Sequence, residues 1–438
     1  MESYGKINIF ISQSETGSQA MLEYVFTQIF CEWYGREINV FSDTSLISTA
    51  HIVYCDSPSL CNSCSALTVY RHHNIDEEIS QLGKWNELPV FFESKEAYNS
   101  FDIPFDIFQA IFLLISRREE YPFLNRNLSF DKHGRYDYKQ SLAYRLDFLD
   151  RPLVDEWLTE FEKAFNSKIQ GISLVPKNNH HLITIDVDNI YAIKNKGIVK
   201  TLLSLAIAKI KGRESDLKLR LDVLFRKKED PFFNICEIAG KLPRESVMFF
   251  HCGGYGKNDK KTLFPSLKYW KAKQRIDKMI NVGLHPSYRS AHSLALLKLE
   301  KWILEKCLGR KVTSTRMHYL LFNFPKTAHT LMNIGITDDY SLAYSDIPGY
   351  RASTARSFKF FDCEKNCATN LTLHPLIVMD KTLRSNLKLS PDQAVIYLKK
   401  LKEQCEKSNV PLTMLFHNQN LSEIEGWGEW NKVFDSVL

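Results

Sequence analysis

The sequence lacks any hydrophobic run long enough to cross a bilayer. Its longest candidate, "DIFQAIFLLISRREEY" from Asp106 to Tyr121, closes in four charges and falls short of the ~20 apolar residues required. The amino-terminal stretch "MESYGKINIFISQ" has no basic region, no long apolar run and no small-residue cleavage site. No block of like charge stands out. The formal charge is +6 over 438 residues, so composition does not point to nucleic acid. Internal repeats and low-complexity segments are also missing. The 10 cysteines do not form a disulfide framework: Cys31, Cys236, Cys252, Cys307 and Cys405 sit singly among apolar neighbours, as reduced thiols do. These absences predict a cytoplasmic protein with no nucleic-acid partner and no stable membrane insertion.

Two short motifs are incomplete. "GGYGKND" is not a phosphate loop, because Asn258 follows Lys257 where magnesium binding needs Ser or Thr. Cys61 and Cys64, with His72 and His73 downstream, form too loose a set for structural zinc. They read as a reduced surface loop, as does "CEKNC" from Cys363 to Cys367.

What is present is ample core material, 44% hydrophobic and 12% aromatic, in a chain long enough for two domains. Residues 1–125 alternate strand-like runs with helical pattern, which predicts a small α/β domain. Residues 126–174 are polar and turn-rich, then amphipathic, and connect the halves. Residues 175–438 repeat βα units, which fits a parallel barrel or a distorted version of one, with its chemistry at the strand exits.

Those exits carry acids and imidazoles. "HLITIDVD" presents Asp186 and Asp188; "SVMFFHC" presents His251; "INVGLHPSY" presents His285; "TSTRMHYL" presents Arg316 and His318; "LTLHPLIVMD" presents His374; "PLTMLFHN" presents His417. Residues two apart on a strand face the same way, so Asp186 and Asp188 share one pocket. Paired carboxylates repel unless a cation or a proton intervenes. A metal on one and an arginine on the other would relieve both. Two oxygens and two nitrogens can hold a divalent cation while leaving room for water.

"TIDVDN", "VGLHPSY", "TSTRMHYL" and "LFHN", in that order, resemble the motif series of the polysaccharide deacetylase (NodB-homology) superfamily. The likeness extends to a Bacteroidetes-type branch with an extra N-terminal domain, through "DKHGRY", "SLAYRLDFLDRPLVDEW", "YGKNDK", "DDYSLAYSDIPGYRAST" and "VMD". The resemblance implies an α/β fold: a distorted (β/α) barrel of the NodB-homology type, preceded by a smaller α/β domain. It implies Asp186 as general base, Asp188 and His285 as metal ligands, Arg316 steadying the base, and His417 as general acid. The implied reaction is hydrolysis of an N-acetyl amide, or an O-acetyl ester, on a carbohydrate, with a divalent metal, zinc the expected ion. One departure stands out. The superfamily's second motif supplies another histidine four residues after the first, and here that residue is Arg289. Ser287, His292, His318 or water remain as replacements, and His318 is favoured because "RMHYL" belongs near the site. His251 and His374 are expected to line the pocket. The competing functions are a non-catalytic glycan-binding protein on the same scaffold and a D-x-D glycosyltransferase, the latter disfavoured by "LFHN" and "GLHPSY".

Overall fold

A computed structural model describes residues 5–12, 19–61, 65–125, 127–177, 181–253, 256, 258–259, 267–424 and 426–438. The N-terminal region builds a four-stranded parallel sheet, β1 (Ile7–Ile11), β2 (Ile38–Phe41), β3 (Ile52–Cys55) and β4 (Leu67–Tyr70), in the order β2-β1-β3-β4. A small hairpin follows, β5 (Gly83–Trp85) and β6 (Leu88–Val90). The stretch "SETGSQAMLEYVFTQIFCEWYG", whose pattern predicts a helix with Ser and Thr available as N-caps, is α-helical over Gln19–Phe26 and continues as a π-helix over Thr27–Trp33; residues 14–18 lie outside the described residues. The apolar stretch before Arg117 is a helix, Ile107–Ser116, capped by the Asp106 carboxylate on the Gln109 amide and buried at nearly every position.

The second sheet has nine strands: β7 (Leu182–Val187), β8 (Val247–His251), β9 (Asn281–His285), β10 (Ser314–Thr315), β11 (Asp338–Leu342), β12 (Phe358–Asp362), β13 (Cys367–Pro375), β14 (Val378–Met379) and β15 (Thr413–His417). Their order is β12-β13-β11-β10-β9-β8-β7-β15-β14. Every neighbouring pair is parallel except β12 with β13. Between β13 and β14 one chain segment bonds strands from opposite halves of the curled sheet. The Leu376 amide donates to the Leu342 carbonyl of β11, and the next amide, Ile377, donates to Thr413 of β15. "CEKNC" proves to be the turn between β12 and β13, where Asp362 pairs with Cys367.

β12 is an edge strand, and the N-terminal region covers it. Carbonyls of alternate residues point outward, and each meets a buried aromatic donor. Trp33 Nε1 bonds Ser357 O (2.8 Å), Tyr24 Oη bonds Lys359 O (2.6 Å) and Tyr121 Oη bonds Phe361 O (3.2 Å). The Lys359 amide donates to Gln28 Oε1 at 2.9 Å. An exposed edge is a template for unwanted strand pairing; here side chains complete its ladder. One hydrophobic cluster runs from Ile7 through both sheets to Phe434.

Two buried ion clusters fasten the same junction. Asp155, opening the helix Leu153–Lys168, binds Arg356 Nε (2.9 Å) and the Ala355 amide (2.8 Å). Glu120 is gripped by Arg117 (2.8 Å) and by Arg351 from the loop after β11. Burial alone would raise the Glu120 pKa, but Arg351 and Arg117 hold it below the ordinary carboxylate range. Glu120→Ala leaves Arg351 with no carboxylate partner among the described residues. The expected cost is about 3–5 kcal/mol, read as a lowered denaturation midpoint. Glu87→Ala, which breaks an exposed pair with Lys84, is the control expected to change nothing measurable.

Candidate active site

The register of the parallel strands assembles the site. His417, the last residue of β15, lies opposite Asp186 of β7; Asp186 lies opposite Phe249 of β8, and His251 opposite His285 of β9. Side chains in register on parallel neighbours share a face, so acid and imidazoles emerge together. Phe249 fills the space that a side chain at Gly283 would need. A Cβ there would lie 2.5 Å from the Phe249 ring and 3.0 Å from the Ser314 carbonyl, so only glycine lets β9 approach this closely.

At the exit, His285 Nε2 is 3.0 Å from Asp188 Oδ1 and 3.7 Å from Asp186 Oδ2. His318 Nε2 lies 3.9 Å from Asp188 Oδ1, and His417 Nε2 lies 4.0 Å from Asp188 Oδ2. Arg316 is fully buried; its Nη1 is 3.6 Å from Asp186 Oδ1, and its guanidinium carbon sits 5.0 Å over the Phe249 ring. The structure thus brings Asp186, Asp188, His285, Arg316, His318 and His417 into one cluster.

Each imidazole is oriented from behind. His285 Nδ1 faces the Arg316 carbonyl at 2.7 Å, and His318 Nδ1 faces Asp259 Oδ1 at 3.1 Å. These contacts hold both rings with Nε2 turned toward Asp188, and a cation bound there would leave the proton on each Nδ1 and each Nε2 free to ligate. His417 differs. Its Nδ1 and its backbone amide both bind Asp380, each at 2.8 Å, and Asn420 and the Lys381 amide complete that carboxylate's shell. Burial works against charge on His417, but Asp380 foremost, then Asp188 and Asp186, push its pKa up to about 9. Burial likewise opposes ionisation of Asp188, yet His285, His318 and His417 hold its carboxyl well below the usual range.

Of the candidates for a further ligand, His318 lies beside Asp188 and His285 and the others do not. Ser287 is committed to buried Glu300, which takes its amide (2.7 Å) and hydroxyl (2.6 Å). His292 and Arg289 are exposed. His251, buried, donates from Nδ1 to the His285 carbonyl at 3.2 Å and stands 5.3 Å from the His318 ring. The expectation for His374 needs correction. It bonds Asp338 (2.9 Å) and Ser357 (2.7 Å) and stacks on Tyr340 at 4.1 Å, so it braces the base of β11 and makes no ion pair with either site aspartate. Cys61, expected in a surface loop, is instead buried at the end of the short helix Pro58–Cys61, beside Cys55; His72 pairs with Glu77 and His73 with Asp56, while Cys64 and Lys257 lie outside the described residues.

Sequence reasoning missed Asp259, Asp380 and Asp339. Asp339 is fully buried, its pKa pushed up to about 7 by burial, and is held by the Ser341 amide and hydroxyl; that hydroxyl in turn accepts from the Met317 amide, between Arg316 and His318. Also missed was the support given by the connecting segment. His318 precedes a turn in which Tyr319 and Leu320 both take positive φ, 61° and 56°, a conformation bulky residues hold only when their surroundings enforce it. Arg135 Nη1 donates to the Tyr319 carbonyl at 3.1 Å, Asn323 Nδ2 donates to the Gly134 carbonyl, and His133 packs 4.8 Å from the Tyr319 ring.

The donor set fits a divalent cation. Asp188, His285 and His318 offer one oxygen and two nitrogens within 4.8 Å of one another. Asp188 Oδ1 and His285 Nε2 are buried and face each other at 3.0 Å with no other hydrogen-bond partner among the described residues, so neither is committed elsewhere and both are available to a cation. Mixed carboxylate and imidazole donors with backed-up imidazoles suit zinc.

A family of unknown function, DUF7033, matches residues 9–170. No curated protein matches the chain. Among solved structures the chain is similar to a putative polysaccharide deacetylase from Mycobacterium smegmatis, at 12% identity and TM-score 0.37, covering 60% of this chain and 85% of that one. It is also similar to the PuuE allantoinase, at 10% identity and TM-score 0.36, covering 58% and 83%. A third likeness is to the 4-alpha-glucanotransferase from Thermococcus litoralis, at 14% identity and TM-score 0.33, covering 59% of this chain and 37% of that one. At such values the reaction is argued from the site's own chemistry.

Proposed function

We propose that this chain is a metal-dependent hydrolase that removes acetyl groups, N-acetyl foremost, from a sugar or polysaccharide precursor. In this reading residues 175–438 form a distorted (β/α) barrel of the NodB-homology type, 1–125 an N-terminal α/β domain and 126–174 the connection. The observation that carries it is the gathering of two unlike groups beside Asp188: Asp186, 3.6 Å from Arg316, and His417, 4.0 Å from Asp188 and held from behind by Asp380 at 2.8 Å. Amide hydrolysis needs both a base for water and an acid for the leaving nitrogen.

Asp188, His285 and His318 would hold the ion, with zinc the expected one. When bound it supplies Lewis acidity toward the acetyl oxygen and toward water. Asp186, with Arg316 beside it at 3.6 Å, takes the water's proton. His417 gives its Nε2 proton to the departing amine, while Asp380 keeps the ring charged and aligned. The rim beside His318 is aromatic: Tyr319 and Tyr288 lie 5.3 Å apart, and His133 packs on both, a surface that suits the flat apolar faces of a sugar ring. The scattered thiols support a cytoplasmic setting.

Acetate release from N-acetylated oligosaccharides by zinc-loaded protein tests the reading, and absence of release from the whole substrate panel would sink it. Asp186→Asn is expected to lose ~10²-fold or more in kcat with zinc content unchanged. In calorimetric titration His318→Ala should weaken zinc binding sharply, and Asp259→Asn by roughly 10–100-fold, while His292→Ala leaves it intact. The acid must be protonated to act, so activity should persist below, and fall as pH rises through, the His417 pKa of about 9. Asp380→Asn removes the main charge that retains the proton. The alkaline limb should then move to lower pH.

A further inference from the structure

We propose that the helical hairpin between β7 and residue 228 docks onto an anionic lipid surface. The helix Ile198–Ile210 buries Ala208 alone among its thirteen residues, and the following helix, Glu214–Leu224, buries only Val223. Large apolar side chains stand in solvent: Ile198 is 80% exposed, Val199 78%, Leu202 61%, Leu203 58%, Ile210 84% and Phe225 72%. At 3.6 residues per turn, the five on the first helix fall within a sector of roughly 140°, on the far side from Ala208. Contiguous exposed apolar surface of this kind marks an interaction site.

Charge selects the occupant. Residues 194–228 hold eleven lysines and arginines against three acids, a net +8 in a chain whose total is +6. The remainder is therefore slightly acidic, and the excess positive charge is concentrated in this hairpin. Exposed apolar side chains on a strongly cationic helical segment are the signature of a helix lying in the headgroup region of an anionic bilayer. No helix among the described residues is long and apolar enough to cross a membrane, so the hairpin would lie on the surface rather than span it. A second copy of this chain fits worse, since two such faces would bring like charge together.

The hairpin is held firmly at its root. Buried Asp230 accepts the amides of Ala192 (2.7 Å), Ile193 (2.9 Å) and Lys194 (2.8 Å), and Tyr191 stacks on Phe233 at 5.5 Å. This root begins within a few residues of Asp188. Lipid docking would therefore tether the chain through a segment that starts beside the site, and, on the hydrolase reading above, hold it near a glycan carried on a membrane lipid.

Flotation of the full-length protein with vesicles tests docking independently of acetate release. The protein should float with phosphatidylcholine vesicles containing phosphatidylglycerol, much less with phosphatidylcholine alone, and salt should release it. Leu202→Glu with Leu203→Glu should reduce the bound fraction about tenfold or more, with circular dichroism and unfolding midpoint unchanged because both side chains face solvent. No flotation with the anionic vesicles, or equal flotation of the double variant, overturns the proposal. So does a dimer in sedimentation equilibrium that the same double variant dissolves, since the face then serves a second copy.

Discussion

The register of four adjacent parallel strands, β15, β7, β8 and β9, is the constraint on which the chemistry depends. His417 and Asp186 are partners across one pair, and His251 and His285 across another. Slipping β7 by one residue would turn Asp186 out of the pocket and bring Val187 in. The strands resist such a slip because both faces of β7 and β8 are buried, and the two faces are not equivalent. The inner face carries Asp186, answered by Arg316 and His285. A buried carboxylate displaced from those partners would carry a desolvation cost of several kcal/mol. The charges that define the site thus also fix the strand alignment that creates it.

A second constraint joins the two halves of the chain. β12 would be a bare edge were it not for Trp33, Tyr24, Tyr121 and Gln28, whose polar tips complete its hydrogen bonding while their bodies sit in the shared core. Aromatic residues with one polar atom suit this task, being large enough to bury and able to donate at the tip. The ion clusters at Glu120 and Asp155 lie at the same junction. The N-terminal region is therefore part of how the larger sheet ends.

The strand exits were legible because "TIDVD" and "VGLHPSY" place polar residues at the close of apolar runs, and because period-two alternation puts Asp186 and Asp188 on one side. The helix Ile107–Ser116 was legible because its sequence is apolar on most sides. Asp380 and Asp259 were not, because a lone acid after a strand is an ordinary turn residue until an imidazole is seen to face it. The link between β13 and β14 was hidden because consecutive amides of Leu376 and Ile377 bond different strands, which no local pattern encodes. The helix Ile198–Ile210 was hidden in the opposite way. "IVKTLLSLAIAKI" has the composition of a core helix, and only the tertiary structure shows that almost none of it is covered.

The arginine at position 289 has a structural consequence beyond the loss of one donor. With His318 in the ligand set, a donor comes from the turn after β10 rather than from β9, where His285 and residue 289 share one local segment. That turn is not self-supporting, since two bulky residues in it hold positive φ. It is braced by Arg135, His133 and Gly134 of the connecting segment and by Asp259 from the loop after β8. On the proposed ligand set, the placing of His318 then depends on packing outside the strands that carry Asp188 and His285. Loosening of the segment at Gly134–Arg135 would be felt at His318 before it reached Asp188 or His285, which makes the connection between the halves part of the functional architecture.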